Sequence, residues 1–275
     1  MVWLGALIPV PAFLAAFFLL LPLALAWEST LVPDVAGPFP EIQPFLAEYR
    51  LGWAEIEAAR ASASISYDGK NATLVSSGGT MGLARTLYQL DASLDAAADR
   101  TSLKTIHSTQ LEKYTAYTLS ILIEGKNGTL TSLRESTSRG SRPAKWKPVK
   151  ISPIRDLFAT SLFIRSQPLA KGDKVRTLVF PGGSPFLVDI ESLGPETISI
   201  ANSPREALRL DIKIQSVNTK KGNALEPHHK FRSGTLWLSN DSTRILLRAE
   251  VQVFVGYVFA ELAAFHPTPG TAPLR

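Results

Sequence analysis

Leu208-Arg209-Leu210-Asp211-Ile212-Lys213-Ile214-Gln215 alternates strictly between apolar and polar side chains. Successive side chains of a strand point to opposite faces, so this octapeptide predicts an antiparallel strand with one face in a core and one in water. The same period of two begins near Val175 and continues downstream. Thr235-Leu236-Trp237-Leu238-Ser239 leads through the polar turn Asn240-Asp241-Ser242-Thr243 into a further run, in which Ile245, Leu247, Ala249, Val251, Val253, Val255 and Tyr257 share one side. Read as a single strand, that run is long enough to require a twist or bulge, and Gly256 is the expected place for it.

Working toward the N-terminus, Ala59, Ala61, Ala63, Ile65 and Tyr67 fall on one side of an alternating segment. Asp68-Gly69-Lys70-Asn71 then supplies a turn before Ala72-Thr73-Leu74-Val75-Ser76-Ser77, which predicts strand, turn, strand. The small side chains suit a place where another element crosses the sheet closely. Thr105 to Thr109 and Tyr117 to Glu124 also read as strands. Met81 to Leu94 is ambiguous, because Leu83, Leu87, Tyr88, Leu90 and Leu94 can share a helical face. A helix is expected after Ser152-Pro153, read as cap and first position, with an apolar stripe of Ile154, Leu157, Phe158, Leu162 and Phe163. Asp156 and Arg165 suit its dipole. The chain is therefore expected to be mainly β with one or two short helices.

The first 26 residues carry no Lys, Arg, Asp or Glu and end in Ala24-Leu25-Ala26. An apolar leader with a small-x-small end predicts an export signal over residues 1–26, removed before Trp27. An uncleaved anchor facing the periplasm is the alternative, since the n-region has no basic residue. The remaining 249 residues are expected as an extended lead-in (27–43), a single β-rich domain (44–265) and a flexible tail (266–275). Export to the periplasm makes nucleic acid an unexpected partner despite a net charge of +5. The absence of cysteine excludes thiol catalysis, disulfides and cysteine metal sites.

No catalytic constellation stands out. Asp91, Asp95 and Asp99 would align on a helix or suit a polar loop after Leu90, and solvated surface is the expected reading. Asp211 and Glu261 are the individually interesting carboxylates. Glu261 sits among apolar residues, where an unpaired charge would be costly, so pairing with Arg248 or Arg209 is expected. His228-His229 point apart on an extended chain, and neither they, His107 nor His266 form a metal-ligand pattern. No metal or cofactor is expected. Gly182-Gly183-Ser184-Pro185 reads as a turn between Phe180 and Phe186, being neither a nucleophile elbow nor a phosphate loop. The basic run from Arg139 to Lys150 reads as a solvated loop carrying the exposed Trp146. Trp53, Tyr88 and Trp237 are candidate aromatic contacts for a glycan or lipid, and Trp237 equally suits a core or groove lining.

Several of these segments together resemble a family. Ser233-Gly-Thr-Leu-Trp-Leu-Ser-Asn-Asp241, Arg244-Ile-Leu-Leu-Arg-Ala-Glu250 and Gly256-Tyr-Val-Phe-Ala-Glu-Leu262 are similar to the C-terminal signature of the exported Gram-negative proteins catalogued as domain of unknown function 3108. Tyr49-Arg-Leu-Gly-Trp53, Leu87-Tyr-Gln-Leu-Asp91 with Asp99, Ile154-Arg-Asp-Leu157 and Gly172-Asp-Lys-Val175 extend the resemblance across about Pro44 to Phe265. This chain departs from the family in having Leu246-Leu247 where a proline is usual. The resemblance implies an exported domain built on a curved antiparallel sheet or β-roll, and it carries over no catalytic residue. Two functions follow as expectations. The first is a non-enzymatic envelope protein whose sheet binds an apolar ligand, a lipid, a glycan or another envelope protein, with membrane contact if the leader is retained. The second is a hydrolase acting on an envelope polymer through paired carboxylates such as Asp211 and Glu261. Trp53, Tyr88, Asp211, Trp237, Arg248 and Glu261 are the residues expected to contact a ligand or to support the site.

Overall fold

A computed structural model describes residues 27–138, 143–228, 231, 233–253 and 255–268. The leader and Arg139 to Arg142 of the basic run lie outside the described residues, as do His229 and Phe254. Two units are distinguished, Met1–Leu31 and Val32–Arg275. In the first, Trp27–Thr30 forms a single 3-10 turn where an extended segment was expected.

The second unit is built on one sheet of fifteen strands, curved but not closed into a barrel. In chain order these are β1 (Phe45–Trp53), β2 (Ile56–Asp68), β3 (Asn71–Thr80), β4 (Leu90–Asp99), β5 (Thr105–Tyr114), β6 (Thr118–Lys126), β7 (Thr129–Ser136) and β8 (Lys147–Pro148). They continue as β9 (Lys174–Val179), β10 (Phe186–Ile200), β11 (Ser203–Asn218), β12 (Ala224–Pro227), β13 (Ser233–Ser239), β14 (Leu246–Gln252) and β15 (Tyr257–Pro267). Two helices interrupt them, α1 (Gly82–Leu87) and α2 (Leu157–Ser166). The sheet order is β8-β7-β6-β5-β4-β3-β2-β1-β15-β14-β13-β11-β10-β9, with β12 paired to β11. Every pairing between strands is antiparallel, so nearly the whole order is made by hairpins. The one long-range closure is β1 against β15, which joins the two halves of the chain from Phe45↔Pro267 to Trp53↔Val258.

The alternation of β11 fixes which face is inside. Leu210 is fully buried, and Ile212 packs beside it against Phe163 of α2, while Arg209, Asp211 and Lys213 point away. On the other half of the sheet, Ala47, Ala72, Ala96 and Ala98 are buried against Phe158, Ala159 and Leu162 of α2. The sheet thus curls around one helix, which presents Phe163 to one half and Phe158 and Leu162 to the other. Methyl side chains at Ala72, Ala96 and Ala98 let helix and sheet approach closely, and interdigitated burial of this kind is the main favourable term in the fold.

Several expected elements take a different form. The run from Ile245 to Tyr257 is two strands rather than one: the chain reverses at Val253–Gly256, where the Val253 N–H donates to the Gly256 carbonyl and Gly256 adopts φ +71°. Glycine allows that positive φ at little steric expense. Apolar residues fill this turn, so the alternation runs through it and hides it. The helix after Pro153 begins one turn later than expected. Its cap is Asp156, whose carboxylate accepts from the Ala159 N–H, and Ile154 is buried ahead of the helix. Leu157, assigned to the apolar stripe, is 45% exposed. Met81 to Leu94 splits into α1 and β4, and Leu83 and Leu87 project outward rather than into a core. Asp91, Asp95 and Asp99 lie on strand β4, neither on a helix nor in a loop. The strand β15 also carries on to Pro267, past the expected end of the sheet.

Candidate functional site

Helix α2 covers only part of the inner face. Beyond its N-terminus, Leu51 of β1, Ala59 and Ala61 of β2, Gly78 of β3, and Ala92 and Leu94 of β4 remain uncovered and meet Leu157 of the helix. They line a cavity of about 270 Å³. Cross-strand register explains the shared lining: Ala61 faces Gly78 and Gly78 faces Ala92, one small residue on each successive strand. The small side chains noted in the sequence are therefore crossed by a helix only lower down, at Ile65 and Tyr67. Higher up they leave space.

Gln110 and Glu112 of β5 line this cavity and also a wider cleft of about 1350 Å³. The cleft continues across Leu119 and Ile121 of β6 to Arg134 of β7. Its opposite wall is the β9–β10 turn together with β11, including Phe180, Phe186 and Ser216. The turn touches the sheet's other half at Gly182, where a Cβ would meet Ile121 Cγ2 at 2.3 Å. Only glycine fits this approach, and its φ of +95° adds a second reason. The lining grades from apolar to charged, with Arg134, Lys147, Lys150 and Lys220 facing only Glu112 and Glu226. Glu112 accepts from the Tyr114 hydroxyl, which raises the Tyr114 pKa above its ordinary value. Tyr88 stands edge-on to Tyr114, which stacks on Tyr117 at 4.5 Å, so three tyrosines mark the mouth.

The opposite face of the sheet carries an ionic row. Glu261 is 2% exposed and accepts from Arg50 Nε at 3.0 Å, from Arg50 Nη2 at 2.7 Å and from Arg248 Nη1. Both arginines are its direct cross-strand neighbours, on β1 and β14. Arg248 also donates to Glu250 at 2.8 Å and to Glu55. Burial disfavours the Arg248 charge, but the hydrogen bonds to Glu55 and Glu250 outweigh it and its pKa is raised. The cation–ring distances to Phe259, 5.4 Å from Arg50 and 5.3 Å from Arg248, complete the cluster.

The residues singled out in the sequence thus fall in three places. Tyr88 lines the cleft mouth. Trp53 lies at the tip of β1, 45% exposed, with its indole N–H donating to the Val255 carbonyl at 2.7 Å. Asp211, Arg248 and Glu261 belong to the face opposite the cavity, and Trp237, the cross-strand neighbour of Arg209 and Arg248, also packs against the main core cluster. Trp237 donates to Glu196 and lies 5.9 Å from Arg209. Asp211 is half exposed, 3.5 Å from Arg209 and 3.3 Å from the Thr235 hydroxyl. Arg209 contacts Asp211 and Glu196, whereas Glu261 is held by Arg50, a partner the sequence did not suggest. Asp211 and Glu261 are three strands apart, about 14 Å at ordinary strand spacing, and are not brought together as a carboxylate pair. The groups Asp91–Arg85 and Asp95–His107 are surface pairs at 2.7 and 3.1 Å, and Asp99 caps the turn at Ser102. His228 packs on Phe186 and Phe231, and among the described residues no cluster of three potential metal ligands occurs. Leu51, Gly78, Ala92, Leu94, Gln110 and Leu157 were missed as site residues. The signal for them was the unusual run of small residues on one side of consecutive strands, which reads equally as tight packing.

No curated protein matches the sequence. Among solved structures, a β-barrel-like protein of domain of unknown function DUF1849 from Brucella abortus is similar with a TM-score of 0.54 and 8% identity, over 84% of this chain and 100% of that one. That likeness concerns the fold alone. A protein with a YmcC-like fold from Bacteroides fragilis aligns with TM-score 0.36 and 7% identity, covering 84% of this chain and 99% of that one. The hypothetical lipoprotein YmcC from Escherichia coli aligns with TM-score 0.32 and 12% identity, covering 98% and 100%. The family model described as a protein of unknown function, DUF3108, matches residues 48–263, and the chain belongs to that family.

Proposed function

We propose that this chain is a non-enzymatic envelope protein that binds an amphiphilic lipid in the groove on the inner face of its sheet. The observation that carries the reading is the uncovered apolar floor formed by Leu51, Ala59, Ala61, Gly78, Ala92 and Leu94 beside Leu157. Apolar surface left open next to a packed core is a binding feature when it is concave and joined to a few polar groups. Here the narrow end suits an acyl chain, and the basic cleft that follows suits an anionic or zwitterionic head group near Arg134, Lys147 and Lys220. A glycan would instead call for polar partners all along the floor, where Ser76 and Thr80 stand among the alanines and leucines. The charge-free leader supports an envelope location, in keeping with the family resemblance.

Titration with a fluorescent fatty acid tests the reading. Saturable binding to the protein is expected, together with a loss of at least about tenfold in affinity for Ala92→Phe, which fills the floor. Lys213→Ala, on the outward side of β11 and away from the groove, should leave the affinity unchanged. Equal binding by Ala92→Phe and the parent, with both folded by circular dichroism, would contradict it.

A further inference from the structure

The exposed apolar side chains are concentrated at one end of the sheet. Of the sixteen large ones among the described residues, nine lie on the hairpin tips and helix that surround the groove mouth. Leu83 and Leu87 of α1 are 84% and 87% exposed, Ile56 at the start of β2 is 64% exposed and Val255 of the β14–β15 turn is 61% exposed. Trp53 and Tyr117 complete the set on neighbouring tips. Register places these tips together: Trp53 pairs with Val258, the Met81 N–H donates to the Ala58 carbonyl, and Leu90, just after α1, pairs with Tyr114 at the β5–β6 turn.

We infer that this rim docks the protein on a lipid bilayer, with Leu83, Leu87, Ile56 and Val255 inserted at the depth of the head groups and upper acyl chains. The apolar residues project from three neighbouring protrusions, Leu83 and Leu87 from α1, Trp53 and Ile56 from the β1–β2 turn and Val255 from the β14–β15 turn, instead of forming one flat patch. A fluid interface closes around each protrusion, whereas a protein partner would need a matching pit for each of the three. Trp53, Tyr88 and Tyr117 have the amphipathic rings that favour the membrane–water interface. Charge points the same way. Four carboxylates near the rim are matched by cations within the chain, Glu55 by Arg248, Glu57 by Arg60, Asp91 by Arg85 and Glu226 by Lys221, and Glu112 accepts from the Tyr114 hydroxyl. Among the described residues, Lys220 enters no ion pair, and Lys113 faces Asp91, which Arg85 already holds, so both add positive charge for anionic head groups to meet. The inference concerns the rim and does not require the groove to be occupied.

The chain has no cysteine, so Leu87→Cys gives a single attachment point for an environment-sensitive fluorophore. Leu46→Cys, at the opposite end of β1, is the control. Full-length labelled proteins are mixed with vesicles of phosphatidylethanolamine and phosphatidylglycerol, or of phosphatidylcholine alone. The Leu87 label is expected to brighten and shift to the blue on the anionic vesicles while the Leu46 label does not. Ile56→Glu with Leu83→Glu should lower the apparent vesicle affinity about tenfold or more. Ala92→Phe, which blocks the groove, should keep the response and so separates this inference from ligand binding. A silent Leu87 label, an equal response from both labels, or an unchanged affinity in the double glutamate variant would overturn it.

Discussion

Glu261→Ala is the perturbation whose size the structure defines best. The carboxylate is 2% exposed and takes two hydrogen bonds from Arg50 and one from Arg248. Removing one partner of a buried ion pair costs about 3–5 kcal/mol when the other charge is stranded. Here the stranding is partial. Arg248 keeps Glu55 and Glu250, and the Arg50 side chain is 34% exposed and can turn to water. The expected loss is therefore at the lower end, about 3 kcal/mol, most of it from Arg50. Glu261→Gln retains an acceptor and the side-chain volume and should lose about 1–2 kcal/mol. Adding Arg50→Met to Glu261→Leu removes the stranded charge and should recover most of the loss, because ion pairs replaced by apolar groups of similar volume are often nearly neutral. Urea unfolding followed by tryptophan fluorescence and circular dichroism measures this, and about 3 kcal/mol corresponds to roughly 1–2 M in the midpoint. A Glu261→Ala loss below about 1 kcal/mol, or a double variant no more stable than the single one, would refute the reasoning.

Two further outcomes follow from other buried polar groups. Asp156 caps α2, and burial raises its pKa above the ordinary 3.8, while the Ala159 N–H and the Thr105 hydroxyl pull it down. Between 3.8 and the raised folded value the folded state holds more protons than the unfolded state, so this group makes stability fall as pH rises through that window. Asp156→Asn keeps a good cap and should lose that dependence, so the parent gains on it as pH is lowered toward 3.8; Asp156→Ala should lose about 1–2 kcal/mol at neutral pH. Arg165 donates to the carbonyls of Pro40, Ser242 and Thr243, and its pKa is pushed down to about 10, chiefly by burial and then by the neighbouring Arg244. Arg165→Met strands those acceptors and should lower the melting temperature by about 10 °C, read by calorimetry.

The sheet was largely legible in the sequence because its strands have one wet face. Leu208 to Gln215 and Ala59 to Tyr67 alternate in sequence, with burial deepest at Leu208, Leu210 and Ile65 on the apolar side, and polar turns such as Asp68 to Asn71 end such runs. The β14–β15 turn escaped notice because its apolar residues continue the alternation. The segment holding α1 read as ambiguous because Leu83, Leu87 and Leu94 can share a helical face, and nothing in the sequence says which side of an apolar stripe is covered. The same gap explains the site. Periodicity places Ala61, Gly78 and Ala92 on one face, but whether a helix packs over them depends on where α2 starts, and Asp156 rather than Ser152 sets that point. Glu261 was legible as a residue in need of a cation, since an apolar context demands it. Arg50 was not, because the β1–β15 pairing that brings it there spans 211 positions of sequence.

The central claim is that the uncovered floor around Ala92 holds a lipid. Native mass spectrometry of the full-length protein recovered from producing cells tests it directly, alongside Ala92→Phe prepared in the same way. The account predicts a lipid-sized adduct on the parent that is lost from Ala92→Phe. The apo mass alone, under conditions that preserve a known lipid complex, would contradict it, as would an adduct equally abundant on both proteins.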